Sequence, residues 1–274
     1  MTHSVVEFLP LLLTLLATGV IAGIIAGLLG VGGGIVTVPV LEYLLRFAQV
    51  ESQWRMHVAV ATSLAAIIPT AISSTRAHHA RGAVDWSLAK AWAAPMLVGA
   101  LVGSLLAVHA KSAVLTTIFG VVAAIVATKM ALPLDHVRFT QSVPRGFGGG
   151  LIATLIGGVS VMMGIGGGTI SVPTMTLAGE PIHRAVGTAA FFGLVIGLPG
   201  TVGYLLARPD VDLPWATVGL VSLLGVAIIA PGTVLSAPLG AFIAHRLTRR
   251  QLSGAFGFFL FVVAARMLWR SFVV

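Results

Sequence analysis

No cysteine occurs among the 274 residues, which excludes disulfides, thiolate metal sites and any relay through protein sulfur. Charge is almost as scarce: 9 % of residues are charged, against roughly 25 % in a soluble domain. Acids are the rarest of these, eight Asp plus Glu against sixteen Lys plus Arg, for a formal net charge of +8. With so few carboxylates a conventional Asp/Glu proton relay is hard to place. No His/Asp/Glu spacing resembles a ligand set, so no metal site is expected. The adjacent His78 and His79 diverge by about 100° on a helix and make a poor metal pair. Neither G-x-S-x-G nor H-E-x-x-H is present, and no paired intramembrane carboxylates are found, which argues against an enzyme. No basic cluster is interleaved with exposed aromatics, which argues against nucleic acid. Residues 1–7 contain no Lys or Arg, so the basic start of a cleavable signal peptide is missing.

What the chain has instead is apolar length. It is 57 % hydrophobic, the composition of a polytopic, all-α integral membrane protein with lipid as its solvent. Stretches of spanning length fall at 8–45, 58–77, 87–108, 112–132, 146–178, 184–207, 215–244 and 251–272, about eight in all. The polar connections between them are too short for a soluble domain. Any chemistry therefore lies within or at the edge of the bilayer. The basic excess reads first as topological signal and second as a hint of an anionic substrate.

Two of the stretches carry a glycine run closed by proline. The first reads Gly30-Val31-Gly32-Gly33-Gly34-Ile35-Val36-Thr37-Val38-Pro39, the second Gly164-Ile165-Gly166-Gly167-Gly168-Thr169-Ile170-Ser171-Val172-Pro173. Each glycine costs about 1 kcal/mol in a helix relative to alanine, and unpaired backbone survives at membrane depth only inside protein or beside a wet cavity. The runs therefore predict broken or re-entrant helices, with Pro39 and Pro173 in the first turns after the restart. Close helix packing is the plainer reading of such glycines. Their duplication and the matched Thr37 and Ser171 hydroxyls favour a site, because matched breaks in two halves point to a transporter's binding site. Freed N–H groups at a helix start attract an anion.

Other anchors repeat in the same order. Leu115–Met130 aligns without gaps on Leu252–Met267, His57-Val-Ala-Val-Ala-Thr62 on His183-Arg-Ala-Val-Gly-Thr188, and Pro69 roughly on Pro199. This divides the chain into a first repeat at 1–132, a connecting loop at 133–145 and a second repeat at 146–274. Eight single crossings would make the repeats parallel. Stretch 8–45, however, would measure about 57 Å as one helix, against a hydrocarbon core of about 30 Å. If each glycine run is a hairpin tip, each half crosses three times and the repeats are inverted. Arg76, Arg81, Lys90, Lys129, Arg138, Arg145, Arg184, Arg246, Arg249 and Arg250 then share one side, ten against the six of Arg46, Arg55, Lys111, Arg208, Arg266 and Arg270. Positive-inside bias favours this inverted arrangement, with both termini outside.

The candidate substrate-binding residues are Gly32, Gly33, Gly34, Thr37, Thr62, Ser63, Gly166, Gly167, Gly168, Thr169, Ser171 and Thr188. Hydroxyls suit a transported anion because they donate a hydrogen bond without the grip of a full charge. Bonding back to their own helix carbonyls is the competing reading. His57 and His183 occupy matched segment starts; a solvated interfacial position is the simpler reading and protonation the alternative.

The motif G-x-G-G-G-x-x-x-V-P, twice, each followed by H-x-A-V-[AG]-T, resembles the sulfite exporter TauE/SafE family over nearly the whole chain. Ala61-Thr62-Ser63 stands where Gly187-Thr188-Ala189 stands in the second half, so each half keeps part of a G-T-S form. The resemblance implies a multi-pass plasma-membrane carrier for a small anion such as sulfite, sulfoacetate or another sulfonate. It implies no enzymatic activity and no cofactor. Substrate, direction and coupling ion stay open, as does a homo-oligomeric state. An anion channel shares the glycine-turn logic and stands as the alternative.

Overall fold

A computed structural model describes residues 5–131, 142–211, 213 and 216–273. Of the connecting loop expected at 133–145, only residues 142–145 are among the described residues, and Arg138 lies outside them. The first half contains helices α1 (Val5–Leu29), α2 (Gly34–Phe47), α3 (Ser52–His79), α4 (Trp86–His109) and α5 (Ser112–Ala131). The second contains α6 (Phe147–Met163), α7 (Gly168–Leu177), α8 (Ile182–Leu205), α9 (Leu223–Ala244) and α10 (Arg249–Val273). A two-residue-strand hairpin, β1 (Thr217–Val218) and β2 (Val221–Ser222), precedes α9. Eight apolar stretches become ten helices because the two glycine-bearing ones each divide at their glycine run.

Seven of the described helices are long and apolar enough to cross a bilayer: α1, α3, α4, α5, α8, α9 and α10. Their directions follow from which residues meet. Gly19, Gly23 and Gly27 of α1 face Ile229, Thr233 and Ala237 of α9 in ascending order, so these two are parallel. The four-residue spacing lets the backbones approach, the usual device where lipid gives no hydrophobic drive between helices. Likewise Gly99 and Gly103 of α4 face Thr154 and Gly158 of α6. Ala71 of α3 meets Gly193 of α8, and Leu64 meets Gly200, so α3 and α8 are antiparallel. Ser73 of α3 donates to the Val234 carbonyl of α9 at 2.8 Å, and the Ser222 N–H donates to Thr62 at 3.0 Å, which makes α3 and α9 parallel. Met130 meets Ser253 and Gly120 meets Leu268, so α5 and α10 run oppositely.

The chain therefore turns back at each glycine run. α1 ascends, α2 descends beside α3, and α3, α4 and α5 cross up, down and up. The second half starts from the opposite face: α6 descends, α7 ascends, and α8, α9 and α10 cross down, up and down. Each half is one hairpin and three crossings, in inverted order. The start of α1 and the end of α10 share one face, called here the terminal face. The hairpins are unequal, 25 and 14 residues in the first half against 17 and 10 in the second.

The antiparallel pair α3 and α8 forms the centre. Of the apolar span of each, 72 % is buried, against 29–44 % for the other long helices. The outer helices turn leucines outward, as at Leu105 of α4 and Leu155 of α6, where they meet acyl chains.

Candidate functional site

The two glycine runs interlock at the centre. Gly33 (φ 78°) and Gly167 (φ 79°) are the left-handed N-caps of α2 and α7, while Gly30 (φ 67°) and Gly164 (φ 69°) turn the chain out of the preceding helices. Left-handed backbone at all four is the local reason for glycine. A Cβ on Gly34 would overlap the Gly164 carbonyl oxygen, and one on Gly168 would overlap the Gly30 carbonyl oxygen. Each run is thus locked against its counterpart by the same pair of positions. The Gly166 N–H donates to the Val31 carbonyl at 3.2 Å, and the Ser63 hydroxyl donates to the Gly164 carbonyl at 2.8 Å. The packing reading of the glycines is correct for Gly34 and Gly168. It also brings two helix starts together.

From that crossing α2 runs toward the terminal face and α7 toward the opposite face. Their N-termini meet head to head, each carrying about half a positive charge. The first N–H groups of a helix have no partner within it. Among the described residues those of Gly34, Ile35, Gly168 and Thr169 have no acceptor. Around the second run three fully buried hydroxyls, Ser160, Thr169 and Ser171, also have no partner among the described residues. A Cβ on Gly167 would lie 3.8 Å from the Ser160 hydroxyl oxygen. Buried polar groups are seldom left unpaired, so unpaired donors beside two positive helix ends suit an anion. Pro39 and Pro173 each occupy the sixth position of their helices, so no i+4 N–H reaches the Ile35 and Thr169 carbonyls.

The other hydroxyls are engaged. Thr37 donates back to the Gly33 carbonyl at 3.1 Å. Thr62 accepts the N–H of Ser222, the N-cap of α9, and Thr188 accepts the N–H of Asp85, the N-cap of α4, at 2.9 Å. The match between halves is close and crosses between them: each threonine seats the start of the helix that follows its counterpart in the other half. Their role as acceptors was not visible in sequence, where they stood out only as donors.

His57 and His183 are also matched. The His57 Nε2 lies 2.9 Å from the Ala110 carbonyl and its Nδ1 lies 3.1 Å from the Gln53 carbonyl, tying the start of α3 to the end of α4. A neutral ring satisfies one of those carbonyls and an imidazolium both. His183 Nε2 lies 3.2 Å from each of the Ala244 and Leu247 carbonyls, tying the start of α8 to the end of α9.

A cavity of about 710 Å³ opens at the terminal face between the ends of α2 and α4 and the starts of α3 and α5. Arg46, Arg55 and Lys111 line it, with Glu42 and His57 also on its wall. Along α3, His57 lies about 9 Å below Ser63. This basic vestibule therefore ends about two helical turns from the glycine crossing. Sequence placed these three cations on one side of the membrane only within the charge count and did not gather them at one site, because they lie on separate elements. Ser160 was likewise missed, although a serine in the apolar helix before a glycine run is the signal that could have found it. No group of three His, Cys, Asp or Glu arranged to hold a metal occurs among the described residues.

The family profile described as sulfite exporter TauE/SafE matches residues 15–271. A "probable membrane transporter protein" of Haemophilus influenzae is 32 % identical over 241 residues, covering 88 % of this chain and 91 % of that protein. The Bacillus subtilis "probable membrane transporter protein YunE" is 26 % identical over 264 residues, 89 % of this chain and 92 % of its own length. The Methanocaldococcus jannaschii "probable membrane transporter protein MJ0441" is 27 % identical over 249 residues, 90 % and 91 % respectively. No solved structure matches the chain.

Proposed function

The chain belongs to the sulfite exporter TauE/SafE family and is a multi-pass membrane transporter; from that premise we propose that it carries a small sulfur oxyanion, sulfite or a sulfonate, bound where α2 and α7 begin. The observation that carries this reading is the head-to-head meeting of two helix starts beside the unpartnered hydroxyls of Ser160, Thr169 and Ser171. Free N–H and O–H donors hold an anion in a dry site without a buried countercharge. An anion held this way can be released, which a carrier needs.

The basic vestibule supplies the approach from the terminal face. Arg46, Arg55 and Lys111 raise the local anion concentration by electrostatic focusing. Alternating access exposes the crossing first to one face and then to the other, with the helix pairs locked across the repeats, α1 on α9 and α4 on α6, moving as units. Backbone-to-backbone contact at Gly34 and Gly168 is the closed point of that cycle. A transport role requires no bond-making residue, and none is assigned. His57, with carbonyls on both ring nitrogens, is a candidate proton acceptor at the vestibule wall.

The test is flux into proteoliposomes under defined gradients, comparing sulfite, thiosulfate, sulfate, sulfoacetate and chloride. Saturable flux of sulfite or sulfoacetate with counter-transport is the expected result. Non-saturating conduction that includes chloride would make the protein a channel. No flux of any sulfur oxyanion would overturn the substrate assignment.

A further inference from the structure

Three histidines from three helices meet at the face opposite the termini. His78 lies in the last turn of α3, His245 caps the end of α9, and His183 lies in the first turn of α8. The His78 Nδ1 is 3.2 Å from the His245 Nε2, and their ring centroids are 5.3 Å apart. The His183 ring stacks on that of His245 at 5.7 Å and 23°. His78 is buried, and its Nε2 lies 2.8 Å from the Gly27 carbonyl of α1.

These contacts determine where the protons sit. A carbonyl only accepts, so His78 carries its proton on Nε2 and presents a bare Nδ1. The His245 Nε2–H must then donate to it, which leaves the His245 Nδ1 as a lone pair. His183 donates from Nε2 to the Ala244 and Leu247 carbonyls, so its Nδ1 is bare too. The neutral trio is a complete chain linking α1, α3, α8 and α9. The charged groups around it are cationic: Arg81 after α3, Arg184 on α8 and Arg246 after α9. Arg246 lies over the Phe242 ring at 4.2 Å. The acids of this region are engaged elsewhere, Asp85 by Arg145 and Arg184, and Glu180 by Arg184. α1 contributes a carbonyl only.

We propose that His78, His183 and His245 form a proton-binding site that latches this face shut when neutral and releases it when protonated. It rests on the alternating-access reading above, for which it supplies the proton as coupling ion. A first proton, taken at the bare Nδ1 of His245, leaves the His78–His245 hydrogen bond intact. A second, at His78 Nδ1, sets N–H against N–H beside Arg81, and the link between α3 and α9 parts. Burial, and then the neighbouring His183 and Arg81, lower the pKa of His245 below its ordinary 6.5. A His whose folded pKa is lowered gives its stabilisation above pH 6.5 and loses it as pH falls through the lowered value. His245 is therefore uncharged at neutral pH, where the latch is closed; the latch opens in acid only when the second proton reaches His78 Nδ1.

The absence of cysteine allows a test that needs no substrate. Ser74, one turn before His78, is buried and its hydroxyl has no partner among the described residues. Ser74→Cys would be the sole thiol. Its labelling by a hydrophilic maleimide is measured in purified protein at about pH 8 and about pH 4, each rate normalised to the SDS-unfolded protein at that pH. The normalised rate is expected to rise roughly tenfold in acid. It should stay flat with pH in the added variant His78→Gln, whose amide keeps both hydrogen bonds but takes up no proton. If that variant fails to fold, His245→Gln at the half-exposed helix end serves instead. A flat rate with all histidines present, or an equal rise in the Gln variant, would overturn the proposal. Either leaves the transporter reading to be judged by flux alone.

Discussion

Gly33 and Gly167 have the same role in the two hairpins, yet alanine at each should cost different amounts. Both lie at φ near +78°, where a side chain adds about 1–2 kcal/mol of strain. Their surroundings differ. A methyl on Gly33 would sit 2.7 Å from the Ala22 carbonyl oxygen, a backbone atom of α1 that cannot move without the helix. Overpacking of this kind adds about 1–3 kcal/mol. A methyl on Gly167 would meet the Ile196 Cδ1, the far end of a side chain that can change rotamer. Gly33→Ala should therefore lose about 2–5 kcal/mol in sum and Gly167→Ala about 1–2 kcal/mol. The assay is the thermal midpoint of each variant in detergent, with Gly254→Ala as control because a methyl there meets nothing within 4 Å. Anion flux should fall in both variants and not in the control. A Gly167→Ala protein less stable than Gly33→Ala, or an unchanged midpoint in both, would refute this description of the crossing.

Further outcomes follow from the paired contacts. Thr62→Val and Thr188→Val each remove the acceptor of a buried N–H, so each midpoint should fall by an amount equivalent to about 1–3 kcal/mol; equal losses are expected from the matched geometry. At Asp85, Ser should retain most of the stability that Ala loses, about 0.5–2 kcal/mol. The Leu88 N–H needs a cap there, whereas the Arg145 and Arg184 partners are half exposed and contribute little. A reporter fused after Val274 should behave as periplasmic and one inserted between Arg81 and Trp86 as cytoplasmic; the reverse would contradict the positive-inside assignment.

The fold was legible where local chemistry dictates it. Glycine runs too poor in helix propensity to continue a helix predicted breaks at 30–34 and 164–168, and the excess length of stretch 8–45 implied a return. The chain does return, and both of its ends approach one face. The hairpins' inequality was not legible, since apolar length alone does not say where a helix stops. Nor was the locking of Gly34 on Gly164 and Gly168 on Gly30, which joins residues 130 or more apart and depends on how the repeats dock. Thr62 and Thr188 stood out by position, but their partners Ser222 and Asp85 come from helices whose tilt no local pattern encodes. The contact of His78 with His245 spans 167 residues; sequence offered only the adjacent His78 and His79. Of those two, His79 instead accepts from the Trp86 indole at 3.1 Å.

Whether an anion sits at the meeting of α2 and α7 is tested most directly by calorimetric titration of the purified protein with sulfite and, separately, with sulfoacetate. Ser171→Ala removes one unpartnered donor at the crossing; Ser74→Ala removes an unpartnered hydroxyl beside His78, away from it. Loss of one hydrogen bond to a charged ligand, about 1.5–3 kcal/mol, corresponds to roughly a tenfold to hundredfold weaker Kd. The expected result is binding of at least one of the two anions, weakened to that extent by Ser171→Ala and unchanged by Ser74→Ala. Equal affinity in all three proteins would contradict a site at the crossing.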